Sequence, residues 1–383
     1  MAYVIGPGAR AVSLLLSLWL VQCGAPVDDG GVEHASVRGG ASEGLVFLQI
    51  RAGSAELLRA RLADGAVREV TNTPEREEMW PYWSDTAGLV VIETRRGAPS
   101  NGHQLVVWDP DTDLERSLVS SPASHETWAS WAPAGDVVAF SFSVGLGGLR
   151  AAGLATATAS TGVRRVLEWT ALGDRFVRPA WVPSGKNIVV QRRRSGTPNT
   201  DLWVVAREAG PARPLVIDER WHDMKASYSQ DGAWIVFTRR PSRNGPGDIV
   251  RVRADGSHLG QIASLPESDD HTSAPSPVRD EIVFVSDRDG SQDVFLADLD
   301  GGGARNLTRS PDVDEIVPRW APNGERIVVT AVPAALGAAA VDYTRDEEMR
   351  ATREAARIFV IDRDGQILFQ SPGYSPDWMP PWR

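Results

Sequence analysis

Nine side chains of this sequence share one spacing and have the chemistry to hold a cation or a ligand. Glu78, Glu126, Asp223, Asp270 and Glu315 each stand five residues before a recurring anchor, at Trp83, Trp131, Tyr228, Pro275 and Trp320. His125, His222 and Asp314 stand one residue earlier than these acids, and His271 one later. Carboxylates gathered around one opening repel each other and hold protons more tightly, unless a cation or an arginine neutralises them. Carboxylate with imidazole is also an ordinary ligand set for a divalent metal. His125, His222 and His271 are the metal candidates, although no H-E-x-x-H motif accompanies them. No residue is assigned a catalytic role, and no cofactor is expected, with a divalent metal as the alternative. Trp80 and Trp128, three residues before their anchors, and Trp221 add aromatic surface that either stacks on a sugar or packs between sheets.

The elements that position these groups repeat down the chain. The anchors are Trp83, Trp131, Trp181, Tyr228, Pro275, Trp320 and Trp378, at steps of 48, 50, 47, 47, 45 and 58 residues. Several carry a proline two residues on and a glycine two further, as in Trp131-Ala132-Pro133-Ala134-Gly135 and Trp320-Ala321-Pro322-Asn323-Gly324. Pro presets φ and Gly accepts positive φ, so each anchor leads into a turn and then a β-branched strand. Asp-Gly turns at Asp64, Asp255, Asp300 and Asp364 mark later hairpins. The stretch from Leu45 to Thr71 supplies three strands without an anchor, and Trp378 is an anchor without followers. The expected fold is all-β: a single propeller of four-stranded blades, seven in number, closed by pairing of the N- and C-terminal strands. A degenerate repeat would make it six or eight. Strand alternation puts the loop entering each anchor strand, and the loop between second and third strands, on one face. The nine candidate side chains then ring one mouth of the central channel.

Ser286-Asp287-Arg288-Asp289-Gly290 and Asn306-Leu307-Thr308, with the P-x-W-S-P-D-G type of anchor, resemble TolB-type (WD-like) propeller repeats over about residues 43–383. The resemblance implies an acid at the position five before the anchor as an ordinary part of the repeat. Arg95, Arg96, Arg192, Arg193, Arg239, Arg240 and Arg288 stand on the same face as its partners. No segment corresponds to the separate α/β N-terminal domain of TolB itself, which weakens a role in the Tol–Pal system. No stretch reads as a hydrolase domain either.

With 383 residues and a net charge of −10, the chain shows no basic stripe, and no nucleic-acid partner is expected. A single cysteine, Cys23, leaves no disulfide framework. Arg10 followed by the apolar run from Ala11 to Val21 reads as a signal peptide over 1–22. Leu20-Val21-Gln22-Cys23-Gly24 resembles a lipobox, making Cys23 the expected lipid-attachment residue, with Gln22 a departure from the small residue usual there. Residues 23–42 read as a flexible tether, 43–383 as the propeller, and about 333–356 as a helical insertion. The chain is therefore expected to be exported, to the periplasm or as a membrane-anchored lipoprotein of a bacterial envelope, and to be monomeric. The leading functional expectation is a non-enzymatic scaffold binding an envelope protein or peptide on the acidic-mouth face. The alternatives are a metal-dependent polysaccharide lyase or hydrolase, and a sensor of glycans or small molecules.

Overall fold

The computed structural model describes residues 43–96, 102–119, 124–146, 149–170, 173–197, 199–208, 210–242, 245–336 and 350–380. The signal peptide, Cys23 and the tether lie outside the described residues, as does the middle of the expected insertion. Of that insertion, a 3-10 turn at Ala334–Leu336 and a helix α1 at Arg350–Ala355 are described.

The described strands form seven antiparallel sheets of four strands each. Six sheets are consecutive in sequence. The seventh joins β1 (Gly44–Arg51), β2 (Ser54–Arg61) and β3 (Ala66–Glu69) to the last strand, β28 (Tyr374–Met379). Its register pairs Gly44 with Met379 and Leu45 with Trp378, so head and tail of the propeller share one blade. The anchor strands are the first members of their sheets: β4 (Arg76–Ser84), β8 (Ser124–Trp131), β12 (Arg175–Trp181), β16 (His222–Tyr228), β20 (Asp270–Pro275) and β24 (Val313–Trp320), with β28 completing the set.

Period-two alternation explains how these sheets stack. In β21 (Glu281–Ser286), Ile282 and Phe284 enter the apolar layer shared with the preceding blade, and Val283 the layer shared with the following one. Both faces of a blade are therefore buried, which is why its strands read as nearly continuous apolar runs. One such layer fills each of the seven interfaces, including that between the last blade and the first, where Val328 and Val360 meet Leu45 and Phe47.

The anchor indoles stitch the ring as well as fill it. Trp131 Nε1 donates to the Tyr82 carbonyl at 2.9 Å, Trp181 to Ser130 at 3.1 Å, Trp320 to Ala274 at 3.0 Å and Trp378 to Arg319 at 3.1 Å. Each acceptor is the residue just before the preceding blade's anchor. Trp83 breaks the series: its Nε1 donates to Asp85 Oδ1 at 2.7 Å, and the residue in the acceptor's position, Asp377, engages it through its side chain instead. That carboxylate accepts from the Trp83 backbone N–H at 2.8 Å and pairs with Arg319 at 3.4 Å, joining the second and last blades across the closing strand. Trp181→Ala is expected to lose about 3–5 kcal/mol, the range for a buried aromatic. Trp181→Phe keeps most of the volume and strands only the Ser130 carbonyl, for about 1–3 kcal/mol. Urea unfolding separates the two, and equal losses would show that the indole hydrogen bond, not volume, dominates.

Candidate functional site

The two loop types do share one face. Gly247, between second and third strands, donates to Asp269 Oδ1 at 2.9 Å, and Gln292 likewise to Asp314 Oδ1 at 3.0 Å. Both acceptors open the anchor region of the next blade, so one blade's loops support the neighbour's entry.

The five acids, however, do not form an open ring at the mouth. Glu78, Glu126, Asp223, Asp270 and Glu315 are each at most 1% exposed. Four of them turn toward arginines. Glu78 accepts from Arg76 Nε at 2.8 Å and from Thr73 at 2.7 Å; Asp223 takes Arg239 in a fork of two 2.7 Å bonds; Asp270 meets Arg288 at 2.8 Å; Glu126 accepts from Ser124 and lies 3.6 Å from Arg164. An ionised carboxylate driven between packed sheets needs such partners, because burial alone favours the neutral acid. Burial accordingly raises the pKa of Glu126 and Asp223 and pushes Glu78 up to about 7.

Glu315 is the exception. Among the described residues no arginine pairs with it, its buried carboxylate has only the Ser310 and Thr308 hydroxyls as donors nearby, and burial pushes its pKa up to about 8. The folded chain thus holds a proton that the unfolded chain, titrating at 4.5, releases earlier. Stability from this group falls as pH rises from about 4.5 to about 8, and Glu78 acts in the same direction up to about 7. Glu315→Gln is expected to change melting little near pH 5 and to raise it by several degrees near pH 9. A variant that melts below the wild type at both pH values would contradict a protonated Glu315.

The histidines also part company. His222 and His271 are buried in the blades opened by β16 and β20, and His125 is half-buried in that opened by β8, its ring 6.3 Å from His103. Among the described residues, no group of three or more His, Cys, Asp or Glu is placed to hold a metal ion. His271 is held well below the ordinary imidazole pKa, by burial first and then by Lys225 and Arg240, and its Nδ1 lies 2.8 Å from Thr272 Oγ1.

What the structure does bring together lies three residues before the anchors. Every anchor strand carries a β-bulge there, and in every one a non-glycine residue takes a left-handed backbone: Trp80, Trp128, Arg178, Lys225, Thr272, Val317 and Ser375, with φ between 49° and 58°. Such a conformation costs about 1–2 kcal/mol per residue, and it is least tolerable for a bulky or β-branched side chain. The neighbouring blades impose it. Buried side chains of the preceding blade accept the bulge N–H in three cases: Glu93 for Trp128 at 3.1 Å, Thr238 for Thr272 at 3.2 Å and Thr330 for Ser375 at 3.1 Å. Equivalent side chains in adjacent blades also touch. The Trp80 and Trp128 rings are 5.7 Å apart, the Arg178 guanidinium lies 4.0 Å over Trp128, and Lys225 Nζ donates to Thr272 Oγ1 at 2.6 Å. Equivalent positions of a ring approach each other only near its axis, so the half-buried Trp80, Trp128, Arg178, Lys225 and Thr272 lie toward the central channel, whereas Ser375 is buried and Val317 packs against an apolar layer.

The bulge ring was not legible as such. Trp80 and Trp128 stand out in the sequence as aromatic, but Arg178, Lys225, Thr272, Val317 and Ser375 share no residue type with them. The available signal was indirect: polar Glu93, Thr238 and Thr330 inside otherwise apolar second strands.

Comparison with known proteins agrees with the repeat. Residues 158–337 match the TolB beta propeller domain model. A segment of 94 residues is 36% identical to the Tol-Pal system protein TolB of Anaeromyxobacter dehalogenans (strain 2CP-C), covering 24% of this chain and 20% of that relative. The chain therefore matches about a fifth of the length of this curated relative. Among solved structures, puromycin hydrolase superposes with a TM-score of 0.64 at 17% identity, over 87% of this chain and 53% of that one. TolB from Acinetobacter baumannii gives 0.51 at 16%, over 87% and 82%. Oligogalacturonate lyase from Vibrio parahaemolyticus gives 0.58 at 11%, over 74% and 82%. At these identities the structural likeness establishes the fold.

Proposed function

The chain is a TolB-type β-propeller protein, and from that premise we propose that it is a non-enzymatic scaffold of the bacterial envelope that docks a protein or peptide partner on its loop-entry face. The observation that carries this reading is the ring of bulged residues. A bulge in all seven blades belongs to the architecture, but its side chains differ from blade to blade, so strained backbone presents a chemically uneven surface at one axis. Rigid loops around a shared axis suit recognition, since little ordering entropy is lost on binding. The TolB relatives and the expected signal peptide support an envelope location, and lipid on Cys23 would be the anchor there.

Photo-crosslinking tests the face. Benzoylphenylalanine at exposed Glu267 or Arg220, in loops entering the anchor strands, is expected to capture a discrete envelope protein. The same probe at exposed Ala134 or Ser184, in the opposite Pro–Gly turns, is expected to capture none. Equal capture from both faces, or capture from the Pro–Gly turns alone, would reject the assignment.

A further inference from the structure

The blade opened by β24 differs from its neighbours in where its arginine stands. Glu315 lies directly opposite Ala331 of β25 (Arg326–Pro333), and Ala331 directly opposite Arg357 of β26 (Arg357–Asp362). Residues opposite one another on paired strands project from the same face, so the carboxyl and the guanidinium share one side of the sheet with a single methyl group between them. In the blades opened by β12 and β16 the middle position is an arginine and the third an aspartate: Arg192 with Asp201, and Arg239 with Asp248. Arg239 reaches its acid, Asp223, from the adjacent strand. Beside Glu315 that place is taken by alanine, and the cation stands one strand further out.

Neither group has an ionic partner where it stands. Glu315 is fully buried with only the Ser310 and Thr308 hydroxyls nearby, and Arg357 Nε is buried with no hydrogen-bond partner. Among the described residues no carboxylate pairs with Arg357, and its own paired neighbours, Ala331 and Pro372, are uncharged. The charged groups described around Glu315 are Asp293 of β22 (Asp293–Asp298) and its neighbour Asp314, and both oppose its ionisation. Paired strands lie about 4.8 Å apart, so the two backbones are about 10 Å apart, a span that an arginine and a glutamate cover together when both lean across an alanine. We propose that Glu315 and Arg357 are the two halves of a latent ion pair, which closes across Ala331 when the carboxyl loses its proton to solvent and opens when the proton returns. The structure holds the open form, in which a neutral Glu315 needs no cation. Loss of the proton puts a third negative charge beside Asp293 and Asp314, and Arg357 leaves no described carboxylate bare when it moves. Arg357 follows α1 by two residues, and α1 packs against β25 and β1, so the catch acts beside the seam that closes the ring.

A double-mutant cycle on the full chain reads the pair, because every other titrating group cancels in it. Wild type, Glu315→Gln, Arg357→Met and the double variant are melted at about pH 5 and about pH 9. In acid, Arg357→Met is expected to shift the midpoint equally with and without Glu315→Gln. In base it should lower melting by several degrees more when Glu315 is present, since removing one partner strands a buried charge. Glu315→Gln still raises melting in base, and raises it further alongside Arg357→Met, because closure offsets only part of the desolvation. Zero coupling under both conditions, or the same coupling under both, would overturn the latent pair. Should Arg357→Met fail to fold, carbon-detected arginine Cζ resonances carry the test, with Arg357 assigned from Arg357→Lys. The Arg357 signal is expected to move between acid and base in the wild type and to stay in place in Glu315→Gln. A signal that stays in both proteins, or moves in both, contradicts the proposal.

Discussion

Deletion of the chain from Tyr374 onward is expected to abolish the closed ring, with loss of cooperative thermal unfolding and rapid proteolysis. The segment contributes an entire inner strand to the first blade. Trp378 and Met379 are at most 5% exposed, and Asp377 ties Trp83 to Arg319 across the seam. Without it, β1 gains a free edge and the layer holding Leu45, Phe47, Val328 and Val360 opens to water. Fully burying each such side chain is worth about 1.5–3 kcal/mol, so the loss over these four is comparable to the stability of a whole domain. A free edge also invites pairing with another chain. Near-UV circular dichroism and limited proteolysis check the result, and addition of a synthetic 374–383 peptide should restore protection. A shortened chain that unfolds at the wild-type midpoint would show that the seam lies elsewhere.

Arg239→Ala is expected to destabilise by about 3–5 kcal/mol, the range for removing one partner of a buried ion pair. Asp223 is 1% exposed and accepts both Arg239 bonds at 2.7 Å, so the truncation leaves a carboxylate that must either stay charged without its partner or take up a proton. Replacing both residues, as Asp223→Leu with Arg239→Met, should recover most of that loss, because the pair's desolvation cost disappears with it. Urea midpoints of the three proteins decide the matter. A double variant as unstable as Arg239→Ala would mean that the guanidinium acts by packing over Trp221 and Phe237 rather than by pairing.

These two residues also show how far the sequence could be read. The repeat is legible because burial on both faces forces apolar strands, and because the indoles of Trp131, Trp181, Trp320 and Trp378 share a fixed partner one blade back. The seven blades and their closure follow from that periodicity alone. Asp223 and its counterparts are equally visible, as acids at a fixed spacing, and so are the arginines Arg239 and Arg288. The spacing does not say that these acids fold inward between sheets. That depends on side-chain direction at a bulged strand, where the period of two is interrupted and parity arguments fail. For the same reason Arg178 and Lys225 carry no mark in the sequence: a left-handed bulge constrains the backbone, and the surrounding blades enforce it whatever the side chain. Glu315 is visible as a fifth acid, but that no described arginine pairs with it is a fact of tertiary packing.

Amide hydrogen exchange on the complex with its crosslinked partner tests the docking account most directly. Protection is predicted in the anchor-strand entrances and bulges, around Glu78–Trp80, Glu126–Trp128 and Asp223–Lys225, with the Pro–Gly turns at Pro133–Gly135, Pro183–Gly185 and Pro322–Gly324 unchanged. Protection confined to those turns, with the bulges exchanging as in the free protein, would contradict it.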